Sequence, residues 1–192
     1  MISLRPLEFT DISNLSQIRA TYHSPTILVL EKSGSGITTG WQLVERPIPF
    51  DKRTLYDFDA QTLAIIRQRL EQPTRTYQRV AEDEGQLVGL LDMELQEWNN
   101  TVVLWNLRVD LAYRRQGLGR RLWHRGLEYA QNAGVRAIML ETQNTNVDAC
   151  RFYAEMGCQL VGLNEALYSN DWQKTEAALF WAYFIHSNRP QR

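Results

Sequence analysis

Apolar positions recur along the chain with two periods, and the switches between them outline the fold. Ile2 to Leu7 reads as a short strand, and Thr10-Asp11 offers an N-cap for a helix carrying Ile12, Leu15 and Ile18 at helical spacing. From Lys32 to Pro49 no period is sustained. The glycines and prolines of KSGSGITTGW and RPIPF predict a loop there, one that Trp41 and Phe50 pack onto something. Between Asp57 and Gln72, Leu63, Ile66 and Leu70 return to helical spacing, and Pro73 ends the segment.

The middle of the chain has period two. TYQRVAEDEGQLVGLLDMELQEW alternates on both sides of Asp83-Glu84-Gly85, which predicts a hairpin, and TVVLWNLRVD follows as a third adjacent antiparallel strand. Helical spacing then resumes. Leu118, Leu122, Trp123, Tyr129, Ala130 and Ala133 share one face, Arg120, Arg121, Arg125 and Glu128 the other, and Gly134 closes the helix. VRAIMLET predicts a strand, NVDACRFYAEMG a short helix ended by Gly157, and CQLVGL and ALFWAYFIH the last strands. The strand-helix-strand passage through Arg114 implies one parallel pair. The expected class is therefore mixed α/β (α+β), with a central, mostly antiparallel sheet flanked by helices.

A length of 192 residues, 44% of them hydrophobic, suits one domain spanning 1–192. The net charge of -1 gives no general attraction to nucleic acid or to an anionic membrane, so neither is expected as a partner. Cys150 and Cys158 form no CxxC pair, and with His23, His124 and His186 scattered no metal site is expected. The start, MISLRPLEF, lacks a signal-peptide pattern, and no run of about 18 apolar residues occurs, so a soluble, cytoplasmic protein is expected.

On so balanced a chain the stretch RRQGLGRRL, Arg114 to Leu122, needs a local explanation. A glycine-rich turn opening a helix aims several N–H groups one way, and the helix dipole adds roughly half a positive charge. Gly117 and Gly119 remove Cβ atoms where an anion would approach, and Arg114, Arg115, Arg120 and Arg121 add charge around it. Phosphate is the ligand this chemistry suits. A P-loop would need Lys-Ser or Lys-Thr after the glycines, and a dinucleotide fingerprint would need Gly or Ala where Leu122 stands.

The remaining pattern, Arg-x-x-Gly-x-Gly from Arg114, resembles the coenzyme A pyrophosphate loop of the GNAT superfamily of N-acetyltransferases. LETQNTNVDACRFYAEMGCQLVG resembles the second half of the same fold, and with LWNLRVDLAYRRQGLG and EAALFWAYF it looks like the streptothricin acetyltransferases, from about Glu94 to Phe184. The resemblance implies acetyl-CoA as cosubstrate, held by Arg114, Arg115, Gln116, Gly117, Leu118, Gly119 and Arg120 at the phosphates. It implies backbone contacts to the pantetheine arm from Leu107, Arg108 and Val109, and a hydrogen bond from Asn146, which also reads as an N-cap. Tyr153 is implied to point at the coenzyme sulfur, where its hydroxyl can protonate or hydrogen-bond the departing thiolate. A homodimer is a family-level expectation.

Acetyl transfer needs the acceptor amine as free base, and an amine of pKa about 10.4 is only about 0.1% deprotonated at neutral pH, so a carboxylate or water relay is needed. Asp92, Glu94, Asp110 and Glu141 lie near strands. Where several superfamily members carry a glutamate before the phosphate loop, this chain has Trp105 and Asn106, so the base is left unassigned; the resemblance to antibiotic-acetylating relatives, which have acidic residues in similar places, favours Glu94 and Glu141. Surface exposure is expected of His124, and simple packing of Phe152 and Cys150, although Arg151 beside Cys150 could activate its thiol. The expected reaction is acetylation of a primary amine on a small cationic acceptor of streptothricin type. The alternatives are a peptide or protein amine, or a non-catalytic acyl-CoA-binding module.

Overall fold

The computed structural model describes residues 1–54, 58–169 and 176–185, with side chains left aside at 49–54. In chain order the strands are β1 (Ser3–Pro6), β2 (Tyr22–Ser33), β3 (Gly40–Thr54), β4 (Thr76–Asp83), β5 (Gln86–Gln96), β6 (Thr101–Val109), β7 (Ala137–Gln143), β8 (Gln159–Asn164) and β9 (Ala178–Phe184). The α-helices are α1 (Ala60–Leu70), α2 (Leu118–Asn132) and α3 (Val147–Glu155). The described residues form two compact units: 1–21, 58–140 and 182–185 in the first, 22–54, 141–169 and 176–181 in the second.

In the first unit the strand order is β1-β4-β5-β6-β7. The pairs are antiparallel except β6 with β7, which is parallel, as the passage through Arg114 predicts. The β4-β5 hairpin closes through Glu84 (φ 50°) and Gly85 (φ 82°), two consecutive left-handed residues whose twist matches that of the flanking strands. Each face of this sheet is covered by helix. On one, Leu15, Ile18 and Ile66 pack with Val80 and Leu90, all at most 2% exposed. On the other, α2 lays Tyr129 on Tyr77, rings stacked at 4.5 Å, and sets Gly126 against Met93.

Two expectations are corrected here. Ile12 and Leu15 lie on a 3-10 helix over Phe9–Gln17, with Ile18 at its C-cap. Its N-terminal cap is Glu8, and Asp11 lies inside it, accepting from the Glu8 N–H at 2.9 Å and from Arg5 at 2.7 and 2.9 Å. That ion pair, made 6 residues apart, turns Asp11 from a cap into an anchor for β1.

The segment 32–49 is no loop: β2 and β3 pair antiparallel from Tyr22↔Thr54 to Ser33↔Gly40. This hairpin belongs to the second unit, with β8, the last residues of β7 and the first of β9, and the Leu28 N–H of β2 donates to the carbonyl of Asn144, the residue after β7, at 3.0 Å. Trp41, expected to pack, is 44% exposed, with Lys32 over its ring. The side chain of Phe50, residue Asp57 and His186 fall outside the described residues. Gly134 (φ 66°) and Gly157 (φ 86°) end α2 and α3 in the left-handed geometry expected of them.

Candidate active site

The turn expected to hold the cofactor phosphates grows out of the end of β6. Asp110, 2% exposed, caps the turn that follows by accepting from the Ala112 N–H at 2.9 Å, and takes both the N–H and the guanidinium of Arg19. Burial pushes the Asp110 carboxyl up, but the Arg19 bond and the two N–H donors outweigh it and hold it below the usual range. Arg114 then turns back to donate to the Val109 carbonyl at 3.1 Å, and Gln116 donates to the Ala112 carbonyl at 2.8 Å. Arg115 takes φ 61° and Gly117 φ 84°, so the chain enters α2 through two left-handed residues.

Leu118, 1% exposed, pins the first residue of the helix into the core. Leu118, Gly119 and Arg120 form the first turn of the helix, and the cap residue Gly117 supplies no side-chain hydrogen bond there. A Cβ on Gly117 would meet nothing within 4 Å, so the cap residue lies open. An open helix N-terminus with arginines beside it is the donor set a pyrophosphate requires, so the residues present fit the phosphates of coenzyme A. Arg121 and Arg125 point elsewhere: Arg121 donates to the Ile2 carbonyl at 3.0 Å and Arg125 to Glu128 at 2.9 Å. His124 is exposed on the same polar face.

β6 supplies the second element. Its parallel pairing with β7 runs from Thr101↔Ala137 to Val103↔Met139 and stops there, while β6 continues to Val109. Leu107, Arg108 and Val109 therefore lie on a stretch paired with β5 through Leu91, Leu90 and Gly89 and with no β7 partner opposite. That geometry suits backbone contacts to an extended chain. The Val109 carbonyl is already engaged by Arg114, and the Arg108 side chain is turned aside, donating to Asn106 at 3.0 Å with its guanidinium over the Phe58 ring at 4.1 Å.

The four strand carboxylates separate by their partners. Asp92 is fully buried and accepts from Arg69, from Gln78 at 2.9 Å and from Asn106 at 2.9 Å, so it is a structural anion already neutralised. Asp110 is committed likewise. Glu94 is half-buried and, among the described residues, accepts one hydrogen bond, from the Trp105 indole at 2.9 Å. Trp105 is the extra residue of a β-bulge, since Asp92 faces Asn106 while Met93 faces Leu104. Sequence alone does not reveal this bulge, because the apolar run VVLW looks continuous.

The second unit holds the other candidates. Asn146 caps α3, accepting from the Ala149 N–H at 3.3 Å, in line with its N-cap reading. Tyr153 is buried on α3, edge-on to Phe152 at 5.2 Å, and burial with the nearby Cys158 and Cys150 pushes its phenol well above the usual range. Its hydroxyl thus stays protonated at any physiological pH. Cys150 is not activated by Arg151: burial pushes its thiol up to about 11, against a hydrogen bond with Thr142, and Arg151 pairs with Glu45.

Glu141 reaches the surface and accepts from the Tyr168 hydroxyl. The protein around it raises its carboxyl above the ordinary range; the Tyr168 bond opposes the rise and the charge of Glu176 adds to it. Glu176 in turn accepts from Thr145 at 2.9 Å, and Thr145 shares a hydrogen bond with Tyr22 at 2.9 Å. Asn144, missed in the sequence, is 1% exposed and ties the end of β7 to both neighbours, donating to the Leu28 carbonyl and accepting from the Ala177 N–H. Its only sequence signal is the polar run QNTN after an apolar strand. Among the described residues no group of three or more His, Cys, Asp or Glu could hold a metal ion, and no helix is long and apolar enough to cross a membrane.

Comparison with known proteins gives this arrangement a family. The sequence profile described as the acetyltransferase (GNAT) family matches residues 40–158. Streptothricin acetyltransferase A of Bacillus subtilis (strain 168) is 33% identical over 100 residues, 52% of this chain and 57% of that protein. A streptothricin acetyltransferase of Streptomyces lavendulae is 31% identical over 107 residues, 56% of either chain. The chain thus spans little more than half the length of these curated relatives. An acetyl coenzyme A complex of a Bacillus anthracis str. Ames protein, described as a streptothricin acetyltransferase, superposes with a TM-score of 0.77 at 25% identity, covering 96% of this chain and 100% of that one. The profile takes in both the glycine turn before α2 and the Asn146 to Tyr153 helix, and the chain belongs to the acetyltransferase (GNAT) family.

Proposed function

We propose that this chain is an acetyl-CoA-dependent N-acetyltransferase, working as one functional domain over residues 1–192, that acetylates a primary amine of a small cationic acceptor of streptothricin type. The observation that carries the reading is the N-terminus of α2 behind a left-handed Gly117, an end where the cap residue supplies no side-chain hydrogen bond. The relatives named above support the acceptor class. Acetyl-CoA, when bound, supplies an activated acetyl group on a thioester.

The chain's own residues do the rest. Leu118, Gly119 and Arg120 offer backbone N–H groups to the phosphates, with Arg114, Arg115 and Gln116 shaping the turn, while Leu107, Arg108 and Val109 align the extended arm. Glu94 and Glu141 are the carboxylates assigned to take the acceptor's proton; among the described residues neither is tied up by an arginine, and the raised affinity of Glu141 for a proton moves it towards the range useful to a general base. Tyr153, held protonated, acts as a hydrogen-bond donor to developing negative charge.

Calorimetry with acetyl-CoA tests the cofactor half: the wild-type chain binds, and Gly119→Trp, which fills the cradle, does not. Tyr153→Phe binds acetyl-CoA normally and loses most of its turnover. Normal binding by Gly119→Trp would remove the phosphate-loop assignment.

A further inference from the structure

Resting on the acetyltransferase reading above, we propose that Trp105 determines acceptor specificity, forming with Glu94 a platform that receives a planar, guanidinium-type cation of the acceptor. The indole is 51% exposed in the middle of a strand whose preceding residue, Leu104, is 5% exposed. It is brought out by the bulge between Asp92 and Met93, just beyond the point where β6 parts from β7. A bulge re-aims a side chain, and here it aims the largest one available.

The ring is held as a binding surface is held. Its Nε1–H donates to Glu94 Oε2 at 2.9 Å, fixing ring and carboxylate together, and among the described residues nothing engages the other Glu94 oxygen. The Arg69 guanidinium lies 5.3 Å from the ring centroid, so the indole already accepts a guanidinium on its face. Packing Arg69 does not explain the arrangement, because Asp92 already grips Arg69 through Nε, at 3.1 Å to each oxygen, and through Nη2. Asp92 itself is anchored by Gln78 and Asn106, so the support beneath the ring is rigid and electrically closed. What remains is an exposed indole with a carboxylate at its edge. Planar, weakly hydrated cations stack on such a face while the carboxylate takes their N–H groups, which a compact ammonium does less well.

The test uses the full chain, labelled with nitrogen-15, with the Trp105 indole resonance identified by its loss in Trp105→Phe. Agmatine, which carries a guanidinium, and 1,5-diaminopentane, which carries only ammonium groups, are the probes. Agmatine is expected to shift the Trp105 resonance saturably, binding about tenfold tighter than the diamine, with Glu94→Gln weakening it by about tenfold. With a guanidinium-bearing acceptor that the wild type turns over, Trp105→Leu is expected to raise the acceptor KM about tenfold. Its affinity for acetyl-CoA stays near wild type, and Trp105→Phe restores most of the KM.

A Trp105 resonance unmoved by agmatine, or a wild-type acceptor KM in Trp105→Leu, would overturn the platform. The two readings fail separately. Turnover with an unmoved Trp105 removes the platform alone, whereas a saturable Trp105 shift without turnover of any amine supports the platform and removes the activity.

Discussion

Arg115 and Gly117 spend left-handed φ angles of 61° and 84° on one short turn, a geometry that costs a residue with a Cβ about 1–2 kcal/mol. Strain of this kind persists where the turn serves something. Gly117→Ala is therefore expected to lose about 1 kcal/mol of stability from backbone strain alone, since its Cβ meets nothing within 4 Å. Its acetyl-CoA affinity is expected to fall by more, on the order of tenfold, because the methyl stands where the anion approaches. Urea melts and calorimetry on the same variant separate the two. At this scale the glycines were legible from RRQGLGRRL, whereas the left-handed Arg115 was not, since nothing in an arginine's identity marks it for that region. The carboxylates show the same limit. Asp92, Glu94 and Asp110 look alike along the sequence and differ only through Arg69, Trp105 and Arg19, each far away in the chain or across a strand pair.

Among the elements, α2 was read nearly residue for residue because a helix that buries one face on a sheet must repeat its apolar positions every three to four residues. Leu118, Leu122, Trp123 and Ala130 are buried and Tyr129 half-buried, Arg120, Arg121, Arg125 and Glu128 are exposed, and Ala133, expected on the apolar face, is instead exposed at the C-cap. The β2-β3 hairpin was invisible for the opposite reason. Residues from Glu31 to Ile37 are exposed without alternation, and the end of a ribbon that has no core side has no hydrophobic period to show. The bulge at Trp105 was hidden because pairing register is a property of two strands, not one. The close seat of α2 on β5 yields a prediction: a Cβ on Gly126 would come within 2.6 Å of the Met93 sulfur. Alanine can be absorbed by the flexible Met93, but Gly126→Val cannot, and it should cost about 1–3 kcal/mol in urea unfolding with the far-ultraviolet spectrum retained.

For the molecule as a whole, stability should carry an acid-sensitive part. Hydrogen bonds from Arg5 lower the Asp11 carboxyl against the effect of burial, and those from Arg19 and two N–H groups lower Asp110. A carboxyl lowered in the fold stabilises it above the ordinary value near 3.8, and that contribution is lost as pH falls through the ordinary value towards the lowered one. Thermal melts should therefore drop steeply below about pH 4, and Asp110→Asn should be less stable at neutral pH with a shallower acid slope. The function claimed for the whole chain is best tested by thiol release from acetyl-CoA with purified protein, across streptothricin, aminoglycosides, polyamines, free lysine and short peptides, with a no-acceptor control. Turnover with streptothricin well above every peptide is expected; turnover confined to peptides, or tight acetyl-CoA binding with no turnover of any amine, would contradict the proposed activity.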